Sequence, residues 1–476
     1  MKLIKRFSIF VVFTLHCIFG LGLCYAETLA FPGAEGFGAY VSGGRFGPVL
    51  KVTNLNPSGP GSLQYALNQE GPRIIVFSVS GVIKADEIII PHGDLTLAGQ
   101  TASGAGITIE GRLIADYGGN ANNIIVRHIR VRPPVFSNQV DGEQYDAIQF
   151  GRSQGVILDH VTASFGVDET VDLYSSRDVT VQWSSIEMSA TSGHPESGHN
   201  YGLINGPKGG NLTLHHNIFA HHKKRTPALS VGPSETINNI MYNVKDAWVH
   251  HNPARGQFII ENNFFKQGPS ASLLPFFLDA ESIDDSLTYY FSGNHLDTAN
   301  NYSGLIDPWP PHPENSELKY TCSYFTGGDC IDYKTDIRPD FSNIKTYKQV
   351  SVQSLADAYS LTLEKAGAFP RDEITKRVVT EIGSRSGEWG ARIPSNLLDG
   401  LIVEKEPLDS DGDGMSDSWE KQQNLNPIDA SDHSTIMGSG YTAIEEYING
   451  LADALVGVSS CCALPNPPGN FSGAIY

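Results

Sequence analysis

Positive charge is scarce in this chain. Lysine and arginine number 33 against 52 acidic residues, giving a formal net charge of −19 at pH 7. The first 26 residues carry Lys2, Lys5 and Arg6 and no acidic residue, so without them the balance is −19 − 3 = −22. That argues against nucleic acid, whose phosphates demand clustered cations. A polyanionic partner would have to be met by bound metal or by a few placed basic residues. Long hydrophobic runs are equally rare. Phe7 to Leu23 is one, no second follows it, and no membrane anchor is expected. The basic residues before that run and Cys24-Tyr25-Ala26 after it read as an export leader over 1–26, so a secreted protein, extracellular or periplasmic, is expected. Leu21-Gly22-Leu23-Cys24 has the outline of a lipoprotein box, but Leu23 is bulky for its position. Cysteine is sparse too: six in all, with Cys17 and Cys24 inside the leader. Cys322 and Cys330 flank a Gly-Gly loop and suit a short disulfide in an oxidising compartment. Cys461 and Cys462 are adjacent, with no readable pairing, and no cysteine spacing suits zinc.

What is present is repetition. Between about residues 88 and 265 the chain is a run of short β-branched segments separated by Gly, Asn, Asp and Ser turns, with no ten-residue amphipathic helix among them. A polar residue just before an apolar one recurs at His128, His160, Ser185, Asn217, Asn239 and Asn263, at spacings of 32, 25, 32, 22 and 24 residues. A period in the low twenties, sometimes lengthened by a loop, is that of a stacked solenoid. Strand-only rungs with inward aliphatic residues indicate an all-β parallel β-helix, with Asn217, Asn239 and Asn263 stacked at one turn. A twisted sandwich would not give this repeat. Before the repeat, Phe31 to Tyr40 is rich in glycine and reads as a segment packed across the end of a sheet; Ser62 to Leu67 reads as a short helix and Ile74 to Val79 as a buried strand. Ser351 to Ile382 has helical signals and is expected to dock on the solenoid's flank.

Two acidic clusters stand out. Asp159, Asp168, Glu169 and Asp172 fall within fourteen residues of otherwise small and apolar character. Such carboxylates repel one another unless protons or a cation lie between them, and a hard, flexible cation such as calcium fits the donor type; an ordinary solvated turn is the bland alternative. On stacked rungs, Asp146, Asp168 with Asp172, and Arg225 become neighbours facing a groove along the solenoid. The second cluster is Asp409, Asp411, Asp413, Asp417 and Glu420, at positions 1, 3, 5, 9 and 12 of a loop with Gly414 at position 6 and the Met415 carbonyl at position 7. That is the spacing of an EF-hand calcium loop. It resembles the type-3 and dockerin-like calcium repeats appended to secreted bacterial enzymes, with helices expected at Trp419 to Gln423 and near Tyr441 to Ile448. The organisation expected is a leader at 1–26, a solenoid domain at 27–386, a linker at 387–407, a calcium module at 408–452 and a loose tail at 453–476.

From Phe31 to about Arg377 the chain resembles family 1 of the polysaccharide lyases, the pectate lyases. The residues that carry the resemblance are Ala30 to Gly38, Thr53 to Asn56 with Ser58 to Leu63, Ile157-Leu158-Asp159-His160, Asp168 to Asp172, Leu214 to Asn217 running on to Arg225-Thr226-Pro227, and Ala366 to Asp372. The resemblance implies a right-handed parallel β-helix with flanking helices, and calcium-assisted β-elimination on polygalacturonate by a monomer. It places the metal ligands on Asp146, Asp168 and Asp172, with Glu169 further out, and the base on Arg225, the first arginine of the family's Arg-x-Pro-Arg. Because arginine is ordinarily protonated, a clamp for a uronate carboxylate is the other reading of Arg225. His160 is read as structural.

The chain departs from the family pattern where the motif's second arginine is Ala228 and a further substrate arginine is Ser230, and where Glu196 replaces a basic residue. Lys208, Lys223 and Lys224 are the candidate substitutes, and His199 a candidate uronate ligand. These changes leave open a pectin lyase acting on methylated polymer, a hydrolase using Asp168 and Glu169 as paired carboxylates, or a non-catalytic pectin-binding solenoid.

Overall fold

The computed structural model describes residues 28–134, 144–196, 198–270, 273–278, 283–299, 302–309 and 330–457. The expected leader, Cys322, Cys461, Cys462 and the end of the tail lie outside these residues. Cys330 is disulfide-bonded.

From Ile124 to Leu278 each rung supplies three strands, and successive rungs stack in parallel register. One face is a sheet of ten strands among the described residues, from Val49–Val52 through Ile124–Arg127, Gln154–Asp159, Arg177–Gln182 and Gly210–His215 to Thr288–Ser292. A second row runs Ile129–Val131, Thr162–Ser164, Ser185–Glu187, Ile218–Ala220, Ile240–Tyr242, Phe264–Lys266. The third row is Ile148–Gln149, Glu169–Asp172, Tyr201–Asn205, Ala228–Val231, Asp246–Arg255, Leu274–Leu278. The long strand Ile107–Ala115 bends across both of these rows and joins them. This is the parallel β-helix that the repeat predicts. Its core is the column of inward aliphatics, among them Leu97, Val126, Leu158, Val181, Leu214, Ile186, Phe219, Val171 and Leu203.

The recurring polar–apolar phrases mark one corner of the triangle, where the ten-stranded sheet passes to the second row. His128, His160, Trp183, His216, Asn238 and Asn262 each take a left-handed backbone there, with φ between 47° and 58°. Asparagine tolerates that conformation; the larger residues are compensated by stacking, with ring centroids 4.9 Å apart for His128 and His160 and 4.1 Å for Trp183 and His216. The next rung has Gly293 at the same corner, where a Cβ would lie 1.8 Å from Asn262 Oδ1. One residue further on runs the asparagine ladder. Asn217 Nδ2 donates to Asn239 Oδ1, Asn239 Nδ2 to Asn263 Oδ1 and Asn263 Nδ2 to Asn294 Oδ1, all at 3.0 Å. Asn294 extends the predicted stack by one rung.

Three elements cover the outside. Helices Leu355–Lys365 and Glu373–Ser384 pack Tyr359, Leu363, Ile374, Val378 and Ile382 on Ile218, Ile240, Tyr242 and Phe264 of the second row. Beneath them Arg132 joins Glu187 and Asp372 in a buried ion cluster. The glycine-rich start lies across the outer face of the ten-stranded sheet rather than its end. Gly36 and Gly38 let the backbone approach closely enough for Phe37 N and Gly38 N to donate to Thr213 and Thr180 hydroxyls, and Phe31, Ala34 and Val41 cover Ile125 and Ile157. The C-terminal module docks on the same sheet, where Met415, Ala443, Ile444, Tyr447 and Ile448 bury Ile74, Val76 and Ala98. Arg45 pairs with Glu445 at 2.7 Å, and Arg127 donates to Asn449 at 2.9 Å. Residues 387–407 contain no regular element but are anchored: Trp389 Nε1 donates to Asn243 O, and Arg392 grips Glu381 with both terminal nitrogens at 2.6 Å. The module's helices run Asp417–Gln423 and Ala443–Gly457, so the second continues nine residues beyond Ile448 into the predicted tail.

Candidate active site

The third row gathers the first acidic cluster. Asp146 lies two residues before Ile148–Gln149, Asp168 immediately precedes Glu169–Asp172, and these two rungs are register neighbours, with Val171 opposite Ile148. Asp146, Asp168 and Glu169 each place a carboxylate oxygen within 4.8 Å of the others. Asp146 is buried, and its Oδ1 accepts from Glu169 N at 2.8 Å. Burial first, then the charges of Asp172, Glu169 and Asp168, push the Asp146 carboxyl well above the usual range. Burial likewise raises Glu169, more than Arg225 lowers it. Like charges crowded in a buried place favour a proton or a cation between them. The donor set is all oxygen and fits calcium.

The resemblance predicts Asp172 as a ligand and Glu169 further out. In the structure Glu169 closes on Asp146 and Asp168, while Asp172 accepts from Gln149 Nε2 at 3.2 Å and from Tyr174 N. Asp172 remains close enough for its charge to raise Asp146. Asp159 sits at the ladder corner instead, holding Arg127 and Gln182 at 2.8 Å, and His160 is a stacked corner residue with no part in the cluster.

Arg225 comes from the loop before Ala228–Val231, two rungs beyond Glu169. Its backbone is left-handed at φ 58°, which aims the side chain back over the preceding rung. There the guanidinium lies 4.5 Å from the Tyr201 ring centre and forms an ion pair with Glu169. The loop between Ser185–Glu187 and Tyr201–Asn205 brings in two imidazoles. His199 Nε2 is 3.2 Å and His194 Nε2 3.8 Å from Asp168 Oδ1, with the rings stacked 3.5 Å apart. Glu196 stands 3.7 Å from His199 Nδ1. The lysines are dispersed. Lys223 donates to Gly198 O and lies 5.9 Å from the Trp389 ring centre; Lys224 is 3.7 Å from Asp246, and Lys208 is exposed in the turn after Tyr201–Asn205.

Sequence reasoning does not identify Tyr201, His194 or His251. Tyr201 and His194 are visible only once the rungs stack. His251, on the rung after Arg225, has its pKa lowered by burial and then by the charge of Arg225. Ala228 and Ser230, where the resemblance expects arginines, are buried in their strand.

A parallel β-helix that gathers carboxylates and a guanidinium on one face is compatible with a polysaccharide lyase, and comparison with known proteins gives the family. A family model described as pectate lyase matches residues 79–285. A probable pectate lyase C of Aspergillus flavus is 33% identical over 433 residues, covering 89% of this chain and 94% of that protein. One of Emericella nidulans is 32% identical over 447 residues, covering 92% and 97%. Among solved structures, a Bacillus sp. N165 pectate lyase in complex with trigalacturonate matches with a TM-score of 0.45 at 18% identity, over 71% of this chain and 99% of that one. The chain belongs to the pectate lyase family.

Proposed function

We propose that the protein is a secreted, monomeric pectate lyase that cleaves α-1,4-polygalacturonate by calcium-assisted β-elimination, leaving 4,5-unsaturated oligogalacturonates. The observation that carries this reading is the convergence of Asp146, Asp168 and Glu169 oxygens beside Arg225 on one face of the β-helix. Asp146, Asp168 and Glu169 would hold the ion, with Asp172 and its Gln149 bond beside them. When bound there, calcium would supply Lewis-acid neutralisation of a uronate carboxylate and so make the α proton at C5 more acidic. Arg225, in its neutral form, would take that proton from its seat on Tyr201; the C5–H electron pair forms the new double bond to C4, the C4–O bond breaks, and the leaving oxygen takes a proton from water. His199, 3.2 Å from Asp168, would meet a uronate oxygen beside the reacting sugar. Lys208, Lys223 and Lys224 would contact the polymer further along.

The ion pair with Glu169 favours a second reading of Arg225. A guanidinium paired with a buried carboxylate has the charge and planar fork to clamp a uronate carboxylate rather than take a proton. The test is ultraviolet absorbance of the unsaturated product on polygalacturonate, with and without chelator. Calcium-dependent absorbance supports the lyase; reducing ends without absorbance mean hydrolysis. Arg225→Lys separates the two roles: loss of kcat at unchanged KM marks the base, and a raised KM at near-normal kcat marks the clamp.

A further inference from the structure

The loop from Asp409 to Glu420 has calcium-loop spacing, which assigns its ninth position, Asp417, to the ion. The side chains are arranged otherwise. Asp417 is turned back on its own loop, accepting from Ser410 N at 2.8 Å and from the Ser410 hydroxyl at 2.9 Å, with Lys421 at 3.8 Å. Into the site comes Asp432 instead, from the turn Asp432–Ser434. Asp413, Glu420 and Asp432 each bring an oxygen within 4.8 Å of the others, as do Asp409, Asp411 and Asp413, and Asp413 belongs to both groups.

The unmatched oxygens point to what lies between them. Asp411 Oδ2, Asp413 Oδ2, both oxygens of Glu420 and Asp432 Oδ1 are buried without a hydrogen-bond partner among the described residues. Glu420 is 0% exposed and Asp413 3%. The cation nearest the group is Lys51, 2.7 Å from Asp409 Oδ2, which also accepts from Gly414 N. The other oxygen of Asp432 accepts from Asn426 N at 2.8 Å, which fixes the direction of Oδ1. Unpaired buried carboxylates are costly, and a bidentate glutamate among aspartates suits calcium.

Resting on the reading of this loop as a calcium loop, we propose that its ion is held by Asp409, Asp411, Asp413, Glu420 and Asp432, with Asp432 in the place that the spacing gives to Asp417. The site thus spans 24 residues from Asp409 to Asp432 rather than twelve, and it ties the segment after the helix Asp417–Gln423 back to the loop. Asp417 serves the fold of the loop through Ser410.

The test counts calcium on the full chain by native mass spectrometry across a calcium titration, with melting temperature followed in calcium and in chelator. Glu420→Gln should lose one calcium. If it binds calcium like the parent, the calcium-loop reading itself fails. Given that loss, Asp432→Asn, which keeps an oxygen for Asn426 N, should weaken the same ion by roughly tenfold or more and melt like the parent in chelator. Asp417→Asn should leave that affinity within about threefold. Parent-like affinity in Asp432→Asn, or a loss in Asp417→Asn as large as in Asp432→Asn, overturns the assignment. So does an Asp432→Asn melting loss that is equal with and without calcium, since that would mark a purely structural side chain.

Discussion

Arg225→Ala removes the ion-pair partner of Glu169, a residue 4% exposed. Breaking a fully buried pair costs about 3–5 kcal/mol, because one charge is left without a partner. Arg225 keeps 27% of its side-chain surface in solvent, so a discounted loss of about 2–3 kcal/mol is expected in chelator. The loss has a pH signature. Without Arg225 the Glu169 carboxyl is pushed still higher, and the folded state holds its proton while the unfolded state releases it near the ordinary value of 4.5. Stability therefore falls as pH rises from that value through the raised one, and the variant is weaker at pH 9 than at pH 5. Two rescues follow: calcium shrinks the deficit by neutralising Glu169, and Arg225→Ala with Glu169→Gln recovers most of it. Guanidinium unfolding of parent, single and double variants, in chelator and in calcium at both pH values, completes the cycle. If Arg225→Ala matches the parent in chelator at pH 9, or the double variant is no better than the single, the pair does not govern this site.

Further outcomes are expected elsewhere. Asn239→Ala deletes an acceptor for Asn217 N and Nδ2 and a donor to Leu214 O, all buried; a loss of about 3–5 kcal/mol is expected, and a denaturation midpoint near the parent's would contradict the ladder's role. The raised carboxyls of Asp146 and Glu169 make protons compete with calcium, so the calcium concentration for half-maximal activity should rise as pH falls from 8.5 to 6.5, and a flat or opposite trend would refute it. Burial opposes the charge on Glu381, but bonds from His221 and Arg392 outweigh it and hold its pKa down at about 2. Its stabilising share is present above the ordinary 4.5 and is lost as pH falls toward 2; unfolding followed from pH 5 to 2 should be less steep in Glu381→Gln.

The β-helix is legible in the sequence because its corner has strict backbone needs. A left-handed residue one to three places before an apolar one recurs from rung to rung, so His160-Val161 and Asn238-Asn239-Ile240 announce the turn before any strand is assigned. Asp146, Asp168 and Arg225 follow once the rungs are counted. What is hidden depends on side-chain direction between rungs. Glu169 and Arg225 are 56 residues apart, and nothing local says that Glu169 points to the cluster while Asp172 turns to Gln149. In the segment Asp409 to Glu420, spacing alone favours Asp417, because the Ser410 bonds that occupy it and the turn that brings Asp432 to the cluster are tertiary facts. The glycine-rich start is similarly ambiguous: Gly36 and Gly38 signal close approach, but only the threonines at 180 and 213 say to which surface.

The asparagine ladder and the site occupy different corners of the same triangle. The loops carrying His194, His199 and Arg225 emerge between the second and third rows, while Asn217, Asn239, Asn263 and Asn294 bond across the corner between the ten-stranded sheet and the second row. A longer or shorter loop at the first corner leaves the bonds at the other in register. The fold can therefore exchange its substrate-facing segments one at a time, as the thirteen residues 188–200 between Glu187 and Tyr201 illustrate, without renegotiating the spine that aligns the rungs. Variation in which uronate polymers such a protein accepts is thereby uncoupled from the stability of the scaffold that presents them.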